Sequence, residues 1–292
     1  MSNFKITEEL QNQIITFYKS KPMGYKEIQE KFNLSLPTIG KILKNVDKYP
    51  KNKIYNPNLI EDFFNTIDTE EKAYFLGLLI SDGNVFIDKN NPNTIRSASI
   101  SITLSSDDKY MLENFKQILQ SNTKVSSDGR GCCQIAIRSN IMANALEKYG
   151  IVPKKSFITF LPKINNHLYK HLIRGILDGD GNITAHQIKS GKFLHKIAFC
   201  GSCQLMEDLS TYLYNELKLS IKPKVYNYKD RLLSEISVQN ISDMHILGNY
   251  LYNDATLFLS RKYNKYYKFL QYYNIIGNPE VITEITQGSV TP

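Results

Sequence analysis

Two stretches of sequence decide the fold: AYFLGLLISDG at residues 73–83 and HLIRGILDGDG at residues 171–181. Each is apolar along a helical segment, has a central glycine and ends in Asp-Gly. A single copy predicts only the end of a helix, because the glycine supplies a left-handed C-cap and the aspartate is a solvated turn residue. Two copies, with Asp180 98 residues after Asp82, favour two similar half-domains over a solenoid.

The segments that follow each stretch have the same order, helix-strand-strand-helix-strand-strand-helix. In the first copy we predict strands at 84–89, 97–104, 123–126 and 133–138, and further helices at 110–119 and 142–149. In the second copy we predict strands at 182–189, 194–200, 224–228 and 234–239, and further helices at 205–217 and 243–252. The sequence therefore predicts an α+β fold of two pseudo-symmetric αββαββα half-domains with antiparallel sheets, at residues 59–165 and 166–275.

The paired helices also predict a metal site. The small residues Gly77 and Gly175 let two helix backbones approach closely, which brings the two Asp-Gly ends together. The carboxylates of Asp82 and Asp180 would then repel each other and feel the negative ends of the helix dipoles. Divalent cations relieve this repulsion, and Mg²⁺ prefers few carboxylates together with waters and phosphate oxygens.

The two stretches resemble the LAGLIDADG motif of homing endonucleases, and the resemblance covers roughly residues 59–270. The second copy, GILDGDG at 175–181, is close to the motif, whereas the first has Ile80 in place of the motif's earlier acid. The resemblance implies saddle-shaped sheets that bind double-stranded DNA, and two or three Mg²⁺ ions near the later acids. The implied metal-binding positions are Asp82, Asp180, Ser81 and Gly179.

The same resemblance implies that each aspartate has a lysine partner in catalysis. Lys155 lies 73 residues after Asp82, and Lys262 lies 82 residues after Asp180. A cation at such a site can steady charge on the reacting phosphate or help the nucleophilic water. Lys154 and Arg261 are neighbouring alternatives, and an ordinary contact with a DNA phosphate is the competing interpretation for each lysine.

One departure from the family pattern concerns the end of the second strand in each half. Smaller members often carry Gln, Asn or Lys there, whereas this chain has Thr103-Leu104-Ser105 and Phe199-Cys200-Gly201. The change removes side chains that organise solvent. It leaves open a DNA-binding protein that has lost cleavage.

Base-reading residues are predicted from the alternation of side chains along strands, because every second residue faces the DNA. Arg138 is the expected reader of guanine and Gln134 of adenine, and a slip of one residue would exchange the two faces. The predicted DNA-facing positions are Ser99, Ser101, Thr103, Gln134, Ala136, Arg138, Thr184, His186, Ile188, Asn227, Lys229, Glu235, Ser237 and Gln239, and Arg261 joins them from a basic stretch at 261–268.

Residues 1–46 resemble the helix-turn-helix units of bacterial and phage regulators. Ser35 is positioned to cap a third helix, with Pro37 in its first turn. The predicted DNA contacts of this small all-α domain are Ser35, Thr38, Lys41 and Lys44. A purely structural three-helix cap is the alternative. Residues 47–58 read as a basic linker and 276–292 as a flexible tail.

The composition agrees with a nucleic-acid partner. The net charge is +8 and the sequence pI is about 9.0, which attracts polyanions. No apolar run is long enough for a membrane span, and the start MSNFKITEEL has no signal core. We expect a cytoplasmic protein of a bacterial or phage-infected cell. Its cysteines are expected to be reduced and structural, because Cys200-Gly-Ser-Cys203 lacks the second pair that a zinc site requires.

The sequence therefore favours a site-specific endonuclease that acts as a monomer, because both half-sites lie in one chain. Two other functions remain open at this point: a DNA-binding regulator built on a nuclease scaffold, and a maturase that helps an intron RNA to fold.

Overall fold

The computed structural model describes residues 6–20, 25–44, 46, 56–87, 98–228 and 233–275. Most of the predicted linker, the predicted tail and Lys229 lie outside these ranges. The chain divides into two compact units, at residues 1–57 and 58–292. No helix in the described ranges is long and apolar enough to cross a membrane.

The first unit contains three short helices around a small core. They are α1 (Glu8–Ser20), α2 (Tyr25–Phe32) and α3 (Leu36–Ile42). Their buried side chains meet because they recur at helical spacing: Ile14, Tyr18, Ile28, Ile39 and Leu43.

The turn between α2 and α3 corrects one sequence prediction. Ser35 occupies the N-cap position of α3, but its side chain accepts no backbone N–H. Its hydroxyl instead forms a 2.8 Å hydrogen bond with the Thr38 hydroxyl, in which either oxygen can be the donor. Pro37 lies in the first turn as expected, and Asn33 adopts a φ of 50°, a conformation that asparagine tolerates better than most residues.

The second unit has the predicted α+β architecture. The first half consists of α4 (Glu70–Asp82), β1 (Gly83–Ile87), β2 (Ala98–Ser105), α5 (Lys109–Ile118), β3 (Ser126–Ser127), β4 (Cys132–Arg138) and α6 (Asn140–Glu147). The second half consists of α7 (Tyr169–Asp180), β5 (Asn182–Gln187), β6 (Phe193–Gly201), α8 (Cys203–Leu217), β7 (Tyr226–Asn227), β8 (Ser234–Val238) and α9 (Ile241–Tyr252). Both sheets are antiparallel and have matching orders, β1-β2-β4-β3 and β5-β6-β8-β7.

Two features differ from the predicted boundaries. The third strand of each half has only two residues and lies at one edge of its sheet. The basic stretch near the C-terminus is a helix, α10 (Ser260–Tyr272), which was not predicted as one. Its buried residues Lys262, Tyr266 and Phe269 are spaced at three and four positions, as on one face of a helix. Because this buried face contains a lysine, the sequence does not show the apolar periodicity that would predict a helix.

Helices α4 and α7 pack against each other through their glycines, as the sequence predicts. A Cβ atom on Gly77 would collide with the carbonyl oxygen of Leu172, and one on Gly175 with the carbonyl oxygen of Tyr74. A Cβ on Gly179 would collide with the Ser81 side chain. Backbone-to-backbone contact of this kind leaves room only for glycine, and it fixes the relative position of the two Asp-Gly ends.

Candidate active site

The two aspartates meet at the foot of the α4–α7 pair. Asp82 is the last residue of α4 and Asp180 the last of α7, and a Cβ placed on Gly179 would be only 3.1 Å from Asp82 Oδ2. Burial, reinforced by the charge of Asp180, raises the pKa of Asp82 to about 6. Burial also raises the pKa of Asp180, although the ammonium groups of Lys155 and Lys262 oppose the shift. The pair is a concentrated negative charge that a cation would stabilise.

The residues beside the aspartates present their backbone to the site. The Ser81 hydroxyl donates back into its own helix, to the carbonyl oxygens of Gly77 (3.1 Å) and Leu78 (3.3 Å), where it packs against Gly179. Ser81 and Gly179 therefore face the site with backbone carbonyl oxygens, which accept from Lys155 (3.2 Å) and Lys262 (3.1 Å).

Lys155 lies beneath the end of α4. Only 4% of the residue is exposed, and its Nζ donates to the carbonyl oxygens of Ile80 (2.8 Å) and Ser81 (3.2 Å). Burial lowers the pKa of this lysine, although the charges of Asp180 and Asp82 raise it. The ammonium group thus caps the helix that carries Asp82 and compensates its negative end.

Lys262 has the same place under α7 but more bonds. It is 3% exposed, and its Nζ donates to the carbonyl oxygens of Leu177, Asp178, Gly179 and Gly181 at 2.5–3.1 Å. Burial lowers its pKa to about 8, against the opposing charge of Asp178. Neither lysine is placed as an exposed phosphate contact. Their neighbours differ from them: Lys154 is exposed, and Arg261 binds Asp108 through Nε at 2.7 Å.

A buried polar network beside Lys262 was not found from the sequence. Arg174 is fully buried and donates to the carbonyl oxygens of Leu251 and Leu257 and to Glu70 Oε1 at 2.6–2.7 Å. Asp178, also buried, accepts from Tyr74 Oη and from the Leu259 N–H, both at 2.8 Å. The available signal was an arginine and an extra acid inside an otherwise apolar helix.

A small cavity adjoins Asp180. Its volume is about 210 Å³, and Ser81, Ser156, Thr159 and Cys200 contribute to its wall. Cys200 lies near the end of β6, one of the two strand ends at which the sequence departs from the pattern described above. None of the four cysteines, all of which lie in the described ranges, forms a disulfide.

The open face of the first sheet carries the residues that alternation predicts. The side chains of β2 and β4 are buried at every second position, and the intervening polar residues point away from the core. Ser101 pairs with Ala136 and Thr103 with Gln134, whose amide Nε2 donates to the Thr103 hydroxyl at 2.9 Å. Arg138 is exposed at the end of β4.

The open face of the second sheet requires a correction in β7. Thr184 and His186 alternate with buried residues of β5, as predicted. In β7 it is Tyr226 that pairs with Glu235 of the open face, whereas Asn227 pairs with the buried Ser234 and accepts its hydroxyl. The predicted register is one residue off because the strand is too short to show alternation. The sequence prediction also omitted Lys196 of β6, which pairs with Thr184 and forms a 3.0 Å ion pair with Glu235.

The remaining predicted contacts are spread over the molecule. Gln239 is exposed just beyond β8, and its Nε2 donates to the Ser237 hydroxyl at 3.3 Å. In the first unit, Ser35, Lys41 and Lys44 are exposed and Thr38 is half-buried on α3.

The fold is that of the LAGLIDADG homing endonucleases. The meganuclease I-SmaMI bound to uncleavable DNA matches with a TM-score of 0.51 and 14% identity, over 75% of this chain and 97% of that chain. The LAGLIDADG meganuclease I-AabMI bound to uncleaved DNA matches with a TM-score of 0.51 and 13% identity, over 75% and 97% of the two chains. No family model and no curated protein matches the sequence. At such low identity the likeness establishes the fold.

Proposed function

We propose that the chain is a site-specific endonuclease that hydrolyses double-stranded DNA with divalent metal held by Asp82 and Asp180. The observation that carries the proposal is the juxtaposition of these two carboxylates, both with raised pKa values, at the paired helix ends of this fold. A structural pair of helix stops has no need of two buried, mutually repelling acids. Perturbed acids that converge in a cleft are typical of catalytic sites.

Magnesium fits the residues present. The described residues contain no cluster of three or more His, Cys, Asp or Glu that could hold a metal ion. Two carboxylates, with the carbonyl oxygens of Ser81 and Gly179, match the preference of Mg²⁺ for few protein ligands beside waters and phosphate oxygens. When bound, such a cation polarises the phosphate, activates water and stabilises the leaving 3′ oxygen.

The chain's own residues orient the DNA and steady the site. Lys155 and Lys262 hold the carbonyl groups around the aspartates in place and add positive charge below them. The open sheet faces supply hydrogen-bonding groups to base edges, with Gln134 and Arg138 as the readers of adenine and guanine. Both half-sites lie in one chain, so one molecule suffices to cut both strands.

The three-helix unit extends the DNA footprint under this proposal. Lys41 and Lys44 are exposed on α3, next to Ser35 and Thr38. A second DNA-binding unit on the same chain raises the effective concentration of the nuclease at its target without new contacts in the cutting half-domains.

Selection for cleavage tests the proposal. The full chain is incubated with a randomised duplex library and Mg²⁺, and the ends produced are sequenced. We expect cuts at one extended sequence with the wild type, and a loss of about 10²- to 10³-fold with Asp82→Asn or Asp180→Asn while binding to that sequence persists. Specific binding without cleavage by the wild type would instead identify a DNA-binding regulator.

A further inference from the structure

Each residue of the segment that leads to Lys262 forms a hydrogen bond with a side chain from another element. Within residues 256–262, called the Lys262 segment, the N–H groups of Thr256 and Leu257 donate to Glu70 Oε1 at 2.8 and 3.2 Å. The Leu257 carbonyl accepts from Arg174, and the Leu259 N–H donates to Asp178. These anchors order a loop that would otherwise be mobile at the start of α10.

Two further anchors come from the N-terminal end of α5 in the opposite half. Tyr110 Oη donates to the Phe258 carbonyl at 3.0 Å and accepts from the Ser260 N–H at 2.8 Å. The buried carboxylate of Asp108 accepts from Arg261 Nε at 2.7 Å. Phe258, Ser260 and Arg261 are therefore bonded to the first half, whereas Leu259 is bonded to Asp178 of the second.

The segment that carries Lys155 shows the reverse arrangement. Within residues 155–161, called the Lys155 segment, the Thr159 carbonyl accepts from the Ser202 hydroxyl at 2.5 Å. The Leu161 N–H donates to Asp208 Oδ2 at 3.1 Å. Ser202 caps α8 and Asp208 lies within it, so both partners belong to the second half. Each lysine thus caps the helix of one half from a segment that the other half holds.

The Lys155 segment has fewer anchors. Phe157 and Ile158 are 54% and 60% exposed, and the described bonds fix the segment only at Lys155, Thr159 and Leu161. In the Lys262 segment every residue from 256 to 262 has a bond to another element. The two lysines therefore have unequal support.

We propose that the halves position each other's lysines: Asp108 and Tyr110 position Lys262, and Asp208 positions Lys155. The catalytic consequence rests on the proposed nuclease function. It is that Asp108 and Tyr110 affect the rate of cleavage of one strand of the duplex, and Asp208 the rate of cleavage of the other. Displacement of a positioned group by about 1 Å can cost on the order of 100-fold in rate. Loss of one hydrogen bond at the base of a segment should cost on the order of 10-fold on one strand.

Strand-resolved nicking tests the catalytic part. A duplex of the selected target, labelled differently on each strand, is cut under single turnover with saturating protein. Lys262→Met and Lys155→Met first assign a strand to each lysine. Tyr110→Phe and Asp108→Asn should slow the Lys262 strand on the order of 10-fold and leave the other within about twofold, and Asp208→Asn should do the reverse. Tyr214→Phe, an exposed tyrosine of α8 outside both segments, is the matched control.

Amide hydrogen exchange tests the positioning part without any need for cleavage. Tyr110→Phe should speed exchange in residues 256–262 and leave 155–161 unchanged, and Asp208→Asn should speed exchange in 155–161 alone. Equal slowing of both strands, or exchange that rises in both segments, would show a general loss of packing and overturn the proposal. If the wild type cuts neither strand, the nuclease function fails, while the exchange result still decides whether the halves hold each other's segments.

Discussion

The two halves share a sheet order, yet the interiors beneath their aspartates differ. In the first half, positions 76 and 80 are Leu and Ile, and both are buried among apolar side chains. The aligned positions in the second half are Arg174 and Asp178, also buried, and they bind backbone groups of the loop that leads to α10. The aspartates and glycines are common to both halves, whereas buried polar residues that bond to the neighbouring loop are present only in the helix of the second half.

The comparison separates the residues that the site needs in both halves from those present in one half only. Close packing of the two helices and one carboxylate from each helix are needed, so both helices have the central glycine and end in Asp-Gly. The loop before Lys262 needs its carbonyl and N–H groups satisfied in a buried place, and Arg174 and Asp178 provide this. The Lys155 segment keeps more contact with solvent and is bonded to other elements at fewer of its residues.

The largest effect is expected from the feature that the halves share. Gly77→Ala and Gly175→Ala should each destabilise the second unit by about 5 kcal/mol or more, because the added methyl group meets a backbone oxygen that cannot swing away. Chemical denaturation or the yield of soluble protein measures the effect. Gly40→Ala in α3 is the control: nothing lies within 4 Å of its Cβ, so the change should be neutral or stabilising. Normal stability of either interface variant would contradict this account of the α4–α7 contact.

A smaller effect should follow when the second half is made to resemble the first. Arg174→Leu places the residue of position 76 at the matching position of α7. It should destabilise the protein by about 3 kcal/mol, since two buried carbonyl groups lose a donor and the Glu70 carboxylate loses its ion pair. The reciprocal control is Leu76→Met, which keeps an apolar side chain and should cost little. If denaturation midpoints of the two variants coincide, the network has no structural role.

The sequence predicted the shared features well and the added ones poorly. Asp-Gly endings, central glycines and strand alternation are local patterns, and they led to both half-domains and to Asp82 and Asp180. The two carbonyl groups that accept from Arg174 lie 77 and 83 residues away in the chain, and the backbone partners of Tyr110 lie 148 and 150 away. Nothing in a local pattern indicates such contacts. The register of β7 was missed for a similar reason, because a strand of two residues shows no period.

The lysines provide a direct measure of the unequal support. Lys262→Met removes a donor that serves four carbonyl oxygens and should cost about 2 kcal/mol, whereas Lys155→Met removes one that serves two and should cost about 1 kcal/mol. Urea denaturation at neutral pH compares them. Arginine at either position serves as the control that keeps the charge but changes the shape. Equal costs would mean that the number of bonds overstates the difference between the sites.

An effect of similar size and opposite sign is expected from the aspartates. The folded-state pKa of Asp82 is about 6, above its ordinary value, so the folded protein binds more protons than the unfolded chain between about pH 4 and pH 6. Stability therefore falls as the pH rises through this window, and the cost is fully present at neutral pH. Asp82→Asn should stabilise the metal-free protein by about 1–2 kcal/mol at pH 7.5 and by almost nothing near pH 4.

The same experiment sharpens the comparison between the halves. Burial raises the pKa of both aspartates and both lysines oppose the shift, but the charge of the other aspartate adds to the shift at Asp82 and not at Asp180. Asp82→Asn should therefore gain more stability at pH 7.5 than Asp180→Asn. The double variant should gain less than the sum, because the first substitution already removes the repulsion. Thermal unfolding in a metal chelator decides between these outcomes. A loss of stability in either single variant would mean that the pair is not strained, and the case for a cation at this site would then lack its physical basis.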